Sequence, residues 1–175
     1  MKVKILVKSL LDAYKYLGRI VESIDKQVID KGMNSHYTIG FSETLDTFNL
    51  VIELVERKRR LCCLKYLIEE GLVSIPQKSA KLLTLRYFDC MNDSEIGRFL
   101  KQSKRTIQRL MEKACGEFYL SLVNKGYNYI NLKEYLKGEK WLSHIFKENN
   151  KKSRKEKIEK LTNFCPIKKR AFLWN

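Results

Sequence analysis

Residues 82–118 read LLTLRYFDCMNDSEIGRFLKQSKRTIQRLMEKACGEF, and this stretch decides the fold. One helix ends near Cys90. Asn92 is placed to cap a second, and Glu95 stands three residues on, where its carboxylate reaches back to close a capping box. That second helix is short, about 93–100. Lys101 and Gln102 form a tight turn, and Ser103 caps a third helix running from Lys104 to about Asn124. Ile96 and Leu100 are spaced to face inwards on the short helix, and Ile107, Leu110, Met111 and Ala114 on the long one. Gly97 falls where the two helices must approach closely, so a small residue is needed there. Caps, turn and inward set together are the sequence form of a helix-turn-helix.

The outward face of the third helix carries the chemistry. Lys104, Arg105, Gln108 and Arg109 occupy its first two turns, away from the apolar set. Arg can pair with both acceptors of a guanine edge and Gln with an adenine edge, and the N-terminal turns of a recognition helix reach base edges in the major groove. Ser103, Thr106 and Lys113 are better placed for phosphates. The expected DNA-contacting set is therefore Ser103, Lys104, Arg105, Thr106, Gln108, Arg109 and Lys113.

The rest of the 175-residue chain supports an all-α fold: two prolines and eight glycines leave few helix breakers, and 44% hydrophobic residues suffice for a core. Val3, Val7, Leu10, Tyr14, Leu17, Val21, Ile24 and Val28 alternate spacings of four and three, as in a coiled-coil seam. Gly32 is expected to end this helix, and residues 32–44 to form a loop. A second helix, about 45–70, follows with Ser42 or Thr44 as cap. Leu45, Phe48, Ile52 and Val55 make one stripe on it; Leu50, Leu54, Leu61, Leu64 and Ile68 make another. The two helices suit an antiparallel hairpin, and the seam suits equally a homodimer with a second copy. The run 57–60 (RKRR) reads as a solvated face. Pro76 marks a boundary, giving a hairpin domain over 1–75, a DNA-binding domain over 76–127 and a basic helical extension over 128–175. In the extension Gly126 ends the long helix, and a further helix around Leu132–Phe146 is open to a break at Gly138. Trp141 reads as a packing residue. The segment 147–160 reads as a solvated helix or a basic arm, and 168–174 as a basic, then apolar, tail.

The net charge is +15 and is unevenly placed. Residues 1–77 hold twelve basic against ten acidic groups, residues 78–118 nine against five, and residues 119–175 fourteen against five. A polyanion is the natural partner, nucleic acid before membrane, since no long apolar run is present. The five cysteines include no C-x-x-C pair, so no zinc site or other metal or cofactor is expected; the thiols read as reduced and Cys62-Cys63 as structural. His36 and His144 have no evident partners and no glycine-rich phosphate loop exists, which points away from an enzyme.

Leu85-Arg86-Tyr87-Phe88, Glu95-Ile96-Gly97, Ser103-Lys104-Arg105-Thr106-Ile107 and Ala114 together resemble region 4 of the sigma-70 family. In that pattern an E-I-A helix leads through a Leu-Gly turn to a Ser-capped recognition helix; here Gly97 stands for the Ala and Lys101 for the Gly. The N-terminal hairpin followed by this unit is similar in layout to small phage late-gene activators of low-GC Gram-positive bacteria and to small alternative sigma factors. The aromatic-rich helix of sigma region 2 has no counterpart in the hairpin. The resemblance implies a cytoplasmic, nucleoid-associated regulator that binds promoter duplex DNA and recruits or assists RNA polymerase. The alternative is a DNA-packaging or architectural module such as a phage terminase small subunit, with the seam driving a ring.

Overall fold

A computed structural model of the chain describes the backbone of residues 2–34 and 41–164 and the side chains of 3–33, 45–135 and 138–155. The heart of the 32–44 loop, His36, Cys165 and the 168–174 tail lie outside the described residues, as do the side chains of Ser42, Thr44 and Leu136. Within them the chain is helical throughout: α1 (Lys2–Asn34), α2 (Phe41–Val73), α3 (Gln77–Tyr87), α4 (Asp93–Phe99), α5 (Lys104–Asn124), α6 (Tyr129–Gly138) and α7 (Lys140–Phe164). The second helix thus begins earlier than expected, and positions 42 and 44 fall inside its first turns rather than ahead of it.

α1 is the strut of the fold. Its seam positions Val7, Leu10, Leu17 and Ile24 are buried, with Tyr14, Val21 and Val28 half-buried beside them. Ile5, Leu6, Leu11 and Ala13, off the seam, are buried too. The N-terminal half of α1 therefore has no solvent side of the width that a two-stranded coiled coil leaves. It is surrounded because α2, α3, α5, α6 and α7 all touch it. Ser9 sits in this apolar shell with its hydroxyl donating to the carbonyl of Ile5 (2.8 Å) and accepting from the Asn149 amide (3.2 Å). One hydrophobic cluster runs through all three segments of the sequence, from Leu6 to Leu142.

The two α2 stripes have different fates. Leu61, Leu64 and Ile68 are buried and Leu54 is half-buried, as the pattern predicts. Leu45, Phe48, Ile52 and Val55 are 44–60% exposed, and Leu50 joins them. The reason is topological: the helices that follow α2 return to its C-terminal half, so its N-terminal half has only the end of α1 to lie against, where Ile29 and Met33 are exposed as well.

The 57–60 run is not simply a solvated face. Arg57 makes a bidentate pair with Glu139, both contacts at 2.8 Å, and Glu139 also accepts from the Trp141 indole N–H (3.1 Å). Glu139 is the extended residue between α6 and α7, so the break at Gly138 is what turns its carboxylate inwards. Lys58 pairs with Asp25 at 2.5 Å, while Arg59 and Arg60 remain exposed. Trp141 packs, edge-on to Tyr16. Cys62 and Cys63 are exposed, contrary to the reading of them as structural; among the described residues the buried thiol is Cys115, and burial raises its pKa. Gly126, at φ +88°, closes α5 in the left-handed region that favours glycine.

Tyr14 ties α1 to α2 by donating to Glu69 (2.5 Å) while its ring stacks on Phe88. Burial, then the hydrogen bond and negative charge of Glu69, push this phenol from 10.0 up to about 12. The unfolded chain ionises Tyr14 first. The contribution is whole below pH 10 and is lost as pH rises towards 12. Thermal melts across this range should show Tyr14→Phe losing less stability between pH 10 and 12 than the parent.

Candidate nucleic-acid interface

The unit α3–α4–α5 is built by local rules. Pro76 starts α3 and Arg86 stands in its last turn. The chain leaves α3 through Cys90, a non-glycine at φ 56°, and the Met91 amide bonds back to the Leu85 carbonyl (3.0 Å). Asn92 then caps α4: its side chain accepts from the Ser94 and Glu95 amides (2.9 and 3.0 Å), and the Asn92 amide donates to the Glu95 carboxylate (2.7 Å). The box expected from the sequence is complete, worth about 1 kcal/mol to so short a helix.

The turn into α5 is set by two residues. Lys101 takes φ 52°, the left-handed conformation expected where glycine is commoner. Gly97 makes room for it: the Gln102 amide bonds to the Gly97 carbonyl (2.8 Å), and a Cβ on Gly97 would stand 2.7 Å from the Gln102 carbonyl oxygen. The close approach is therefore helix to turn backbone. Ser103 caps α5 by accepting from the Thr106 amide (3.1 Å), and the two hydroxyls touch at 2.8 Å. Ile96, Ile107 and Ala114 are fully buried, Met111 nearly so, and Leu100 and Leu110 half-buried against them, which locks α4 on α5.

This leaves Lys104, Arg105, Gln108 and Arg109 exposed on the first two turns of α5. Lys104 and Gln108 lie on the edge next to α4, where the Gln108 amide donates to Asp93 (3.3 Å); Arg105, Arg109 and Lys113 follow one another on the other edge, four residues apart. Lys113 is 72% exposed and pairs loosely with Glu117 (3.7 Å). Ser103 and Thr106 serve the cap first, with Thr106 half-buried.

Sequence reasoning missed the neighbouring cations. A hollow of about 460 Å³ opens between the three helices, lined by Arg86, Asn92, Asp93, Ser94, Arg98 and Lys104. Arg86 is held there by the Met91 carbonyl (3.1 Å) and by Asp93 (3.5 Å). Three cations against one carboxylate suit a phosphate group. Arg98 was findable, standing three residues after Glu95 on the outward side of α4. Arg86 was not, because its position depends on how α3 meets α4. Among the described residues no cluster of His, Cys, Asp or Glu is placed to hold a metal ion, and no helix is long and apolar enough to cross a membrane.

No family model, curated protein or solved structure matches the chain.

The Gly97–Lys101 geometry has a measurable consequence. Gly97→Ala gains about 1 kcal/mol of helix propensity but forces its Cβ into a backbone oxygen, and should lower stability by a net 1–2 kcal/mol or so in urea unfolding. Lys101→Gly relieves about 1 kcal/mol of left-handed strain and should raise it slightly. The double variant should recover more than the sum, because a glycine at 101 lets the turn carbonyl move.

Proposed function

We propose that this chain is a sequence-specific, duplex-DNA-binding transcription regulator that uses α4–turn–α5 as a helix-turn-helix. The observation that carries the reading is the free face of α5: Lys104, Arg105, Gln108 and Arg109 exposed on its first two turns, on a helix whose start is fixed by cap and turn. Those residues supply the fork and amide geometries that discriminate guanine and adenine edges. The hollow lined by Arg86, Arg98 and Lys104 lies beside that face and gives a phosphate seat that fixes the register. The Gln108–Asp93 bond holds the amide until a base edge replaces the carboxylate.

The resemblance to sigma region 4 extends the proposal to promoters: the protein recruits or assists RNA polymerase at a limited set of them. The packaging alternative drew its ring from the α1 seam, and of that seam Val7, Leu10, Leu17 and Ile24 are buried within the chain while Val3, Tyr14, Val21 and Val28 are half-buried. That favours the regulator.

Selection of bound duplexes from a random library should return one short motif. Arg105→Ala and Gln108→Ala should each lose about 1–3 kcal/mol at one or two positions of that motif and little elsewhere. Uniform weakening on all sequences would remove base reading from these residues. Co-purification of RNA polymerase with the tagged protein tests the promoter part separately.

A further inference from the structure

The basic half of α7 is far from α5 in sequence, yet the helix directions bring both to one end of the molecule. Lys4, near the start of α1, forms an ion pair with Glu112 of α5, and the Cys115 thiol lies in the field of Lys8 and Lys4. Further along, Ser121 donates to the Gly71 carbonyl (3.1 Å) and Lys125 pairs with Glu70 (3.0 Å), beside the Glu69 that holds Tyr14. So α5 runs in the same direction as α1, and its start at Lys104 projects about 12 Å past Lys4 at about 1.5 Å per residue. α7 runs the other way. Trp141 meets Tyr16, and Asn149 donates to Asp12 (2.9 Å) and Ser9 (3.2 Å). Beyond Asn149, α7 has about 22 Å of helix left, against about 10 Å of α1 before Ser9. α7 therefore also overshoots the start of α1 by about 12 Å.

Lys4 and Lys8 mark one side of α1, and Ser9 and Asp12 a side about a quarter turn round, so α5 and α7 lie on adjacent sides of α1. With neighbouring axes about 8–10 Å apart, theirs are about 11–14 Å apart. A helix in the major groove, about 12 Å wide, then has α7 within a lysine's reach of the backbone beside that groove. Lys151, Lys152, Arg154 and Lys155 are exposed in the roughly 9 Å of α7 that leads from Asn149 to the level of the start of α1, just short of the overshoot, and among the described contacts Lys151 pairs with Glu148 at 2.9 Å. Asn149 faces α1; Lys151, Arg154 and Lys155 lie off that face, and Lys152, three residues on, is exposed at its edge.

Resting on the DNA reading above, we infer that the C-terminal half of α7 is a second DNA contact, gripping backbone phosphates to one side of the groove that α5 reads. The site takes duplex phosphates without regard to sequence, and its cations set affinity and salt dependence, while α5 sets the preference for bases.

The test compares two double variants of equal charge in the full chain: Lys152→Gln/Lys155→Gln on α7, and Lys26→Gln/Lys31→Gln at the far end of α1. Binding to the selected duplex and to an unrelated one is measured by fluorescence anisotropy over a salt series, with circular dichroism to check the fold. The α7 variant should make the log K against log salt slope shallower by about 2, at about 0.9 per phosphate contact, and weaken both duplexes by roughly tenfold or more at physiological salt. Its hydroxyl-radical footprint should shorten on one side only, and the α1 variant should match the parent. Equal slopes for the two variants, or an unchanged footprint, overturn the inference, and a sequence-dependent effect of Arg105→Ala in the same assay then leaves the α5 reading standing. Absence of duplex binding by the parent overturns both.

Discussion

The burial of most of the first half of α1 is the constraint on which the other elements depend. Leu6, Val7, Leu10, Leu11 and Leu17 are inaccessible to water, at about 1.5–3 kcal/mol for each such side chain removed from solvent. α2, α3, α5, α6 and α7 all touch α1, and α4 packs on α5 and α3. The interface residues of α5 are positioned from behind by the buried Ile107, Met111, Ala114 and Phe118, while Glu112, one turn on from Gln108, is paired with Lys4 and burial keeps the Cys115 thiol protonated. The free face of α5 is rigid because its opposite face is spoken for.

The same arrangement separates two electrostatic tasks. On α5 and α4 the cations are few and oriented. Arg86 is held by a carbonyl and a carboxylate, and Gln108 rests on that same carboxylate, so Asp93 couples the hollow to the reading face. On α7 the described cations are exposed, and among the described residues Lys151 makes a surface pair with Glu148 that is worth little. The sequence separates them as well, the acid-balanced hairpin leading to the strongly basic last third.

What could be read from the sequence was what is decided within a few residues. The Asn92 box, the Ser103 cap, the left-handed Lys101, the need for a small residue at 97, the inward set on α4 and α5, and the break at Gly138 all depend on neighbours close in the chain. What could not be read depends on which distant helix arrives. The two α2 stripes look alike as patterns, yet Leu61, Leu64 and Ile68 of one join the core while Leu50 and the whole of the other are exposed. Arg57 looked like one more lysine-rich surface charge until Glu139, 82 positions away, was turned towards it. Cys62 and Cys63 looked buried because their neighbours are apolar, but a helix exposes one side whatever stands next in sequence.

The tether from Asn149 to Ser9 and Asp12 spans 140 and 137 positions of the chain. α2 follows α1 directly in synthesis, but the side of α1 that receives Asn149 waits for a helix made some 140 residues later. At about 5–20 residues per second, that interval is several seconds or more, longer than small domains commonly need to fold. The nascent chain consequently leaves that one side of α1 uncovered while the intervening helices are made, so a chaperone at the ribosome has a ready substrate in it. A ribosome stalled before α7 would leave a product that cannot close.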